Sequence, residues 1–268
     1  MKLLVSLVVY KQSWSLIENV IDSLIRAVNE TKILFASIVV VDNFGDSALS
    51  KKLSHRYSNI NEMFDLRLIQ GQGNLGYGLG NNLATNVLGY DYVLVLNPDV
   101  IIHQGVFEIA LDYLSNNNDV VLVSPKILNE KGTLESGVKS YPSVFVLLLR
   151  FLNNKKLNRL FQKKLADYEN HQVVNSNSIT DVNIVSGCFM LFRSSILKQL
   201  GGFDSRYFMY FEDFDLSFRA RKLGRVVYHP DVVVTHYGGG AGRKGLKHIK
   251  YFSSSMVKFF NRYGWKLV

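Results

Sequence analysis

The chain reads as an α/β protein with a largely parallel sheet. Two observations predict it. Apolar runs of strand length alternate through the first half with segments whose apolar residues recur at helical spacing, the pattern of consecutive βα units. Each run also closes on polar residues, which in an open parallel sheet point into a ligand crevice beyond the carboxyl ends of the strands. With 268 residues and 47% hydrophobic content, the chain has material for one large domain.

Leu3 to Val9 is the first predicted strand. A helix follows, opened by the capping box Ser15-Leu16-Ile17-Glu18 and carrying Ile17, Val20, Ile21, Leu24, Ile25 and Val28 on one face. Ile38 to Val41, Leu66 to Ile69, Tyr92 to Leu96 and Val120 to Val123 are the next strands, with helical stretches near 47–57, 79–88 and 105–115. After residue 125 the alternation gives way to a basic, apolar-rich segment, 143–165, that reads as inserted amphipathic helices. Strands at Asp181 to Val185 and Cys188 to Phe192 resume the pattern. A short helix then ends at Gly201-Gly202, and an aromatic loop runs from Phe203 to Phe211. A helix from about Glu212 to Lys222, strands Arg225 to Tyr228 and Val232 to Thr235, a Gly-rich turn and a basic C-terminal helix complete the chain.

The net charge of +9 is concentrated. Ser136 to Ala166 holds seven Lys/Arg and no acid, and Val232 to the C-terminus holds another seven with no acid. Such blocks suit an anionic surface or a pyrophosphate, or else form solvated helix faces. They lack the interleaved motifs of RNA-binding folds, so no nucleic-acid partner is expected. The longest later apolar stretch, Val144 to Leu152, is broken by Arg150 and falls short of the roughly 20 residues that span a bilayer. One cysteine, Cys188, allows no internal disulfide, and no Cys/His spacing suggests zinc. A reducing, cytoplasmic setting is the expectation.

The strand ends carry the informative residues. Strand one ends in Val9-Tyr10-Lys11, strand two in Asp42-Asn43 and strand four in Asn97-Pro98-Asp99, while strand three leads into Gly71-Gln72-Gly73-Asn74-Leu75-Gly76. That last segment matches the G-x-G-x-x-G dinucleotide fingerprint, and Asp91 lies 20 residues on, which keeps an NAD-binding oxidoreductase open. Two points oppose it. The fingerprint usually sits in the first βα turn rather than the third, and Asp91 precedes its strand instead of closing it.

Taken together, Val41-Asp42-Asn43, Gly73-Asn74-Leu75-Gly76-Tyr77-Gly78 with Asn81, Leu96-Asn97-Pro98-Asp99, Gly187-Cys188-Phe189-Met190, Gly202-Phe203-Asp204, Phe211-Glu212-Asp213-Phe214-Asp215-Leu216 and Thr235-His236 resemble family 2 glycosyltransferases of the GT-A fold. The nearest likeness is to bacterial rhamnosyltransferases of O-antigen and polysaccharide assembly. It runs from the first strand to about His236 in the family's order.

The resemblance implies a GT-A domain over 1–242, with a donor half at about 1–125, a helical insertion at about 136–175 and an acceptor half at about 180–242, then a basic helical tail over 243–268. It implies an inverting transfer of a sugar, dTDP-L-rhamnose being the favoured donor, to a lipid-linked saccharide acceptor. A divalent cation, Mn²⁺ or Mg²⁺, would neutralise charge on the departing diphosphate, with Asp99 and His236 as its protein ligands. Asn97 stands where many members carry the first acid of an Asp-x-Asp motif. Asp213 matches the catalytic base, with Glu212 and Asp215 supporting acceptor or loop geometry. Asp42 would read the pyrimidine or ribose, and Val9, Tyr10, Asn43, Asn74, Gly76, Tyr77, Asn81 and Asn97 would line the nucleotide. Lys11, Arg243 and Lys244 are candidate pyrophosphate contacts. The aromatic loop, through Phe203, Tyr207, Phe208, Tyr210 and Phe211, is a candidate sugar platform or a packed core. The basic blocks suggest a peripheral enzyme at the inner face of the plasma membrane. A non-catalytic sugar-nucleotide-binding module is the other alternative, keeping Asp42 and Asn74 without need of Asp213.

Overall fold

The computed structural model describes residues 1–238 and 245–268. Arg243 and Lys244 fall outside the described residues. In chain order the elements are β1 (Lys2–Val9), α1 (Trp14–Asn29), β2 (Phe35–Asp42), α2 (Leu49–Tyr57), β3 (Phe64–Ile69), α3 (Tyr77–Thr85), β4 (Tyr92–Leu96), β5 (Val100–Ile102), α4 (Val106–Asn116) and β6 (Val120–Asn129). Two short strands, β7 (Leu134–Glu135) and β8 (Val138–Lys139), lead into four helices, α5 (Val144–Leu152), α6 (Lys155–Leu160), α7 (Gln162–Tyr168) and α8 (His171–Asn175). The chain continues with β9 (Thr180–Asp181), β10 (Ile184–Val185), β11 (Phe189–Arg193), α9 (Ser194–Leu200), α10 (Glu212–Ala220), β12 (Arg225–His236) and α11 (Leu246–Tyr263).

The main sheet has the order β3-β2-β1-β4-β11-β6-β12-β5. Its first four strands are parallel, as are β6 and β12, whereas β11 is antiparallel to both its neighbours and β5 to β12. Helices on both faces explain why the central strands read as unbroken apolar runs. Leu3, Val5, Leu7 and Val9 of β1 pack beneath α1 and α4, while Leu4 and Val8 face the opposite layer with Ala84, Leu197 and Leu216. The register aligns Val9 with Asp42 and Leu7 with Leu96, so the residues following β1, β2 and β4 emerge together at one sheet edge.

Local differences from the sequence-based expectations have physical causes. Helix α1 starts at Trp14 behind Ser13 without a side-chain cap, so Ser15 lies inside the helix and the expected box does not form; Glu18 takes Arg56 of α2 at 2.7 Å. The two strands expected at 225–235 are one strand, broken in register between His229 and Val233, where Pro230 has no N–H to donate. The inserted helices and α11 do not stand apart. Val146, Leu147, Tyr168, Tyr207, Phe211, Phe259 and Phe260 form a third apolar cluster that covers the loop before α10. Among the described residues no helix is long and apolar enough to cross a membrane.

Candidate functional site

A cleft of about 1030 Å³ opens at the edge where the parallel strands end. One wall carries Tyr10, Asn43, Asn74, Gly76 and Tyr77, and its floor carries Asn97, Pro98 and Asp99. Glu212, Asp213 and the turn 186–188 form the far wall, and Phe208, Tyr210, His248 and Tyr251 flank its mouth.

The first wall is built by backbone geometry. Asn74 Oδ1 accepts from the Gly76 N–H at 3.0 Å, and Asn43 Nδ2 donates to the Gly76 carbonyl at 2.9 Å. Gly76 has φ +82°, and a Cβ there would lie 2.0 Å from the Phe208 carbonyl oxygen, so only glycine fits beneath that loop. Tyr77 donates its backbone N–H to the same Phe208 carbonyl at 3.1 Å and its hydroxyl to the Gly187 carbonyl at 2.6 Å. Three distant segments are thereby held in contact.

Asp213 and Glu212 open α10 directly after Tyr210 and Phe211, two consecutive non-glycine residues in the left-handed region at φ 69° and 64°. Such strain persists only where surrounding packing imposes it, and here the third apolar cluster does so. Asp213 Oδ2 accepts from the Gly187 N–H and Oδ1 from the Phe214 N–H, each at 2.9 Å. Burial raises the Asp213 carboxyl above the usual carboxylate range against the pull of those bonds and of Lys139. Glu212 is pushed up further, first by burial and then by the adjacent Asp213 charge, and among the described residues its buried Oε2 has no partner.

Asp99, in the turn that leads into β5, meets His236 at the end of β12. His236 Nε2 lies 3.3 Å from Asp99 Oδ1, and its Nδ1 lies 3.5 Å from Glu135 Oε2 of β7. The imidazole pKa is raised overall: burial lowers it, but the Asp99 and Glu135 carboxylates outweigh that. Asp99 Oδ1 is buried, and among the described residues it has no hydrogen-bond partner beyond that approach of His236. A backbone cradle completes the corner, since a Cβ on Gly238 would sit 2.0 Å from Asp99 Oδ2. Among the described residues no three His, Cys, Asp or Glu side chains gather as a full metal cage. One orphaned carboxylate oxygen beside an imidazole fits a divalent cation that takes its remaining ligands from water and phosphate.

Several expected site residues lie elsewhere. Val9 faces the core and only accepts the Asn43 N–H on its carbonyl at 3.0 Å, while Val8, one residue back, lines the cleft. Asn81 is fully buried between Ser6 Oγ at 2.6 Å and the Tyr77 carbonyl at 3.0 Å, pinning α3 to β1. Asp215 points away from the cleft into ion pairs with Arg219 and Arg262, at 2.7 Å each. Asp42 spends both carboxylate oxygens on the N–H groups of Phe44, Gly45 and Asp46 and on Gln70 Nε2, so a ribose or base would have to displace Gln70. Lys11 sits 4.8 Å over the Phe44 ring and does not line the cleft. Of the aromatic loop, Phe203, Tyr207 and Phe211 are core, and Phe208 and Tyr210 reach the cleft.

Two charged groups escaped the sequence reading. Glu135 comes to His236 on a two-residue strand with no periodicity to reveal it. Lys139 is drawn in behind the site, donating to the Ser136 carbonyl at 2.8 Å, and burial with the nearby Arg150 charge lowers its pKa to about 8. The dinucleotide alternative loses its acid, because Asp91 instead accepts the Lys2 N–H at 2.8 Å.

Residues 6–250 match the family described as glycosyltransferase like family 2. The chain belongs to that family. It is 30% identical over 244 residues to the N-acetylglucosaminyl-diphospho-decaprenol L-rhamnosyltransferase of Mycobacterium tuberculosis, covering 85% of this chain and 76% of that protein. It is 29% identical to the rhamnosyltransferase WbbL of Escherichia coli over 75% of this chain and 72% of that protein. Among solved structures, the mannosyltransferase PcManGT of Pyrobaculum calidifontis, in complex with GDP-Man and Mn²⁺, superposes with a TM-score of 0.61 at 17% identity. That match covers 97% of this chain but only 64% of the mannosyltransferase. The fold is the GT-A type expected, and this glycosyltransferase places its cleft at the carboxyl edge of the parallel strands.

Proposed function

We propose that this glycosyltransferase moves a sugar from a nucleoside diphosphate to an acceptor hydroxyl in a single displacement that inverts the anomeric carbon. The observation that carries the reading is the convergence of Asp213, Glu212 and Asp99 on one cleft, with His236 3.3 Å from Asp99. Asp213 takes the acceptor proton as the acceptor oxygen bonds to the anomeric carbon and the bond to the diphosphate oxygen breaks. Its raised pKa brings it toward a useful basicity. Glu212, whose carboxyl is pushed up further by burial and by the adjacent Asp213 charge, would turn its unpartnered edge to the acceptor. Asp99 and His236 would hold a divalent cation, Mn²⁺ or Mg²⁺, and imidazole suits Mn²⁺ better. When bound, that cation would offset the negative charge developing on the leaving diphosphate.

The nucleotide would lie along Tyr10, Asn43, Asn74 and Gly76. Two relatives named as rhamnosyltransferases favour dTDP-L-rhamnose as donor, and one named for a decaprenol-diphosphate-linked substrate favours a polyprenyl-pyrophosphate-linked saccharide as acceptor. The protein would then work in bacterial surface-polysaccharide assembly, at the inner face of the plasma membrane.

Release of nucleoside diphosphate from a panel of sugar nucleotides tests this, with Mn²⁺, Mg²⁺ or chelator and a lipid-linked acceptor extract. Turnover of one donor should fall about 100- to 10,000-fold in Asp213→Asn while donor binding survives. An equally active variant would remove Asp213 from the mechanism, and turnover unaffected by chelator would remove the cation.

A further inference from the structure

The inserted helices carry an apolar surface that the rest of the described residues leave uncovered. On α5, Leu148, Phe151 and Leu152 are 49%, 57% and 51% exposed. Their spacing of three and four residues puts them on one face with Val144 and Phe145. That face continues at both ends. The N–H groups of Val144 and Phe145 donate to the carbonyls of Lys266 and Leu267 at 2.8 and 3.0 Å, which brings the exposed Trp265, Leu267 and Val268 alongside the start of α5. At the other side Phe145 meets Phe161 with ring centroids 4.8 Å apart, and Leu160, 73% exposed, precedes that contact.

Positive charge adjoins this apolar surface on the α6 and α7 side. Lys155, Lys156, Arg159, Lys163 and Lys164 are exposed on α6 and α7, and none of them is ion-paired among the described residues. The Lys164 ammonium lies over the Phe145 ring, 5.4 Å from its centroid, so a cation directly adjoins the apolar face. Soluble surfaces rarely join large exposed side chains with a one-sign charged border, and a water-facing helix would place its polar face here. Trp265 stacks on Phe260 at 5.1 Å and donates its indole N–H to Asn261 at 2.9 Å, so its half-exposed ring is held rather than loose.

We infer that this two-segment face seats the protein on an anionic phospholipid bilayer, with the α5 and C-terminal apolar side chains in the headgroup boundary and the α6–α7 cations on lipid phosphates. The charge selects a lipid surface over a second copy of the chain, whose identical cations would repel. The inference deepens the proposed function, since it brings the transferase to where a lipid-linked acceptor lies, but it is independent of the donor and of Asp213.

Flotation of the full chain with phosphatidylcholine vesicles, with and without phosphatidylglycerol, tests it. Binding should require phosphatidylglycerol, weaken as salt rises, and drop at least about tenfold in Phe151→Asp/Leu152→Asp and in Lys155→Glu/Lys156→Glu/Lys163→Glu. Both variants alter exposed side chains and should keep the wild-type melting curve and wild-type release of nucleoside diphosphate from soluble substrates. Wild type that stays in solution with anionic vesicles overturns the seat. So does equal flotation of the variants, or a wild-type dimer that Phe151→Asp/Leu152→Asp converts to monomer without any vesicle binding. An inactive protein that still floats would count against the proposed function and leave the seat standing.

Discussion

Arg262 of α11 reaches across to Asp215 of α10 and donates from Nη1 to Oδ1 at 2.7 Å, while Tyr263 donates its hydroxyl to the same oxygen at 2.8 Å. Asp215 is fully buried, and its other oxygen takes Arg219 at 2.7 Å. The C-terminal helix is thus fastened to the turn that carries Glu212 and Asp213. Removing one partner of a buried pair leaves the other charge uncompensated. Asp215→Asn should destabilise the fold by roughly 3 kcal/mol in denaturant melts. Unchanged stability would mean that Arg219 and Arg262 find other partners.

Glu212 should cost stability at neutral pH. Its folded pKa lies above the unfolded one, so between the two values the native state binds more protons than the unfolded chain, and stability falls as pH rises through that window. Glu212→Gln removes the titrating group but keeps the shape. The variant should melt at a higher temperature than wild type at neutral pH, and the gain should vanish as pH falls to about 4, near the unfolded value. A gain that persists unchanged in acid would have another origin.

At the other wall, Gly238 leaves no room for a side chain beside Asp99. Gly238→Ala should move the Asp99 carboxylate and weaken Mn²⁺ binding in the presence of nucleoside diphosphate by about tenfold or more, as Asp99→Asn should. Titration calorimetry reads both directly. Wild-type affinity in both variants would place the cation elsewhere.

Gly76 makes the most constrained crossing in the cleft. Gly76→Ala meets both a left-handed backbone and the Phe208 carbonyl, so it should cost roughly 1–3 kcal/mol in stability and raise the KM for donor more than it lowers kcat. An alanine variant with wild-type KM would show that Phe208 yields freely.

The strands were legible because burial on both faces writes them as continuous apolar runs, as at Val5, Val39 and Val95, and the polar residues that close them could be read as one edge. Asp99, Asp213 and His236 were singled out by resemblance in spaced motifs, and the fold brings Asp99 and Asp213 to the cleft with His236 beside Asp99. Val9 and Asn81 were not separable from true cleft residues, since strand alternation decides which of Val8 and Val9 faces inward and a buried Asn looks like a ligand Asn in sequence. The Ser15 capping box misled because the helix begins at Trp14, which puts Ser15 inside the first turn instead of at the cap.

By itself, then, the sequence determined the βα alternation, the carboxyl-edge position of the candidate residues and the basic, amphipathic character of the insertion, all of which are carried by local spacing and composition. Only the tertiary structure decided that β11 enters antiparallel between β4 and β6, and that Gly187 reaches both Tyr77 and Asp213. It also decided that Asp215 is spent on Arg262 and that Glu135 and Lys139 stand beside the site. These are contacts between segments up to 110 residues apart, set by which surfaces can be buried together. No local pattern encodes the partner, the desolvation or the resulting pKa, because each belongs to the packed assembly and not to the segment.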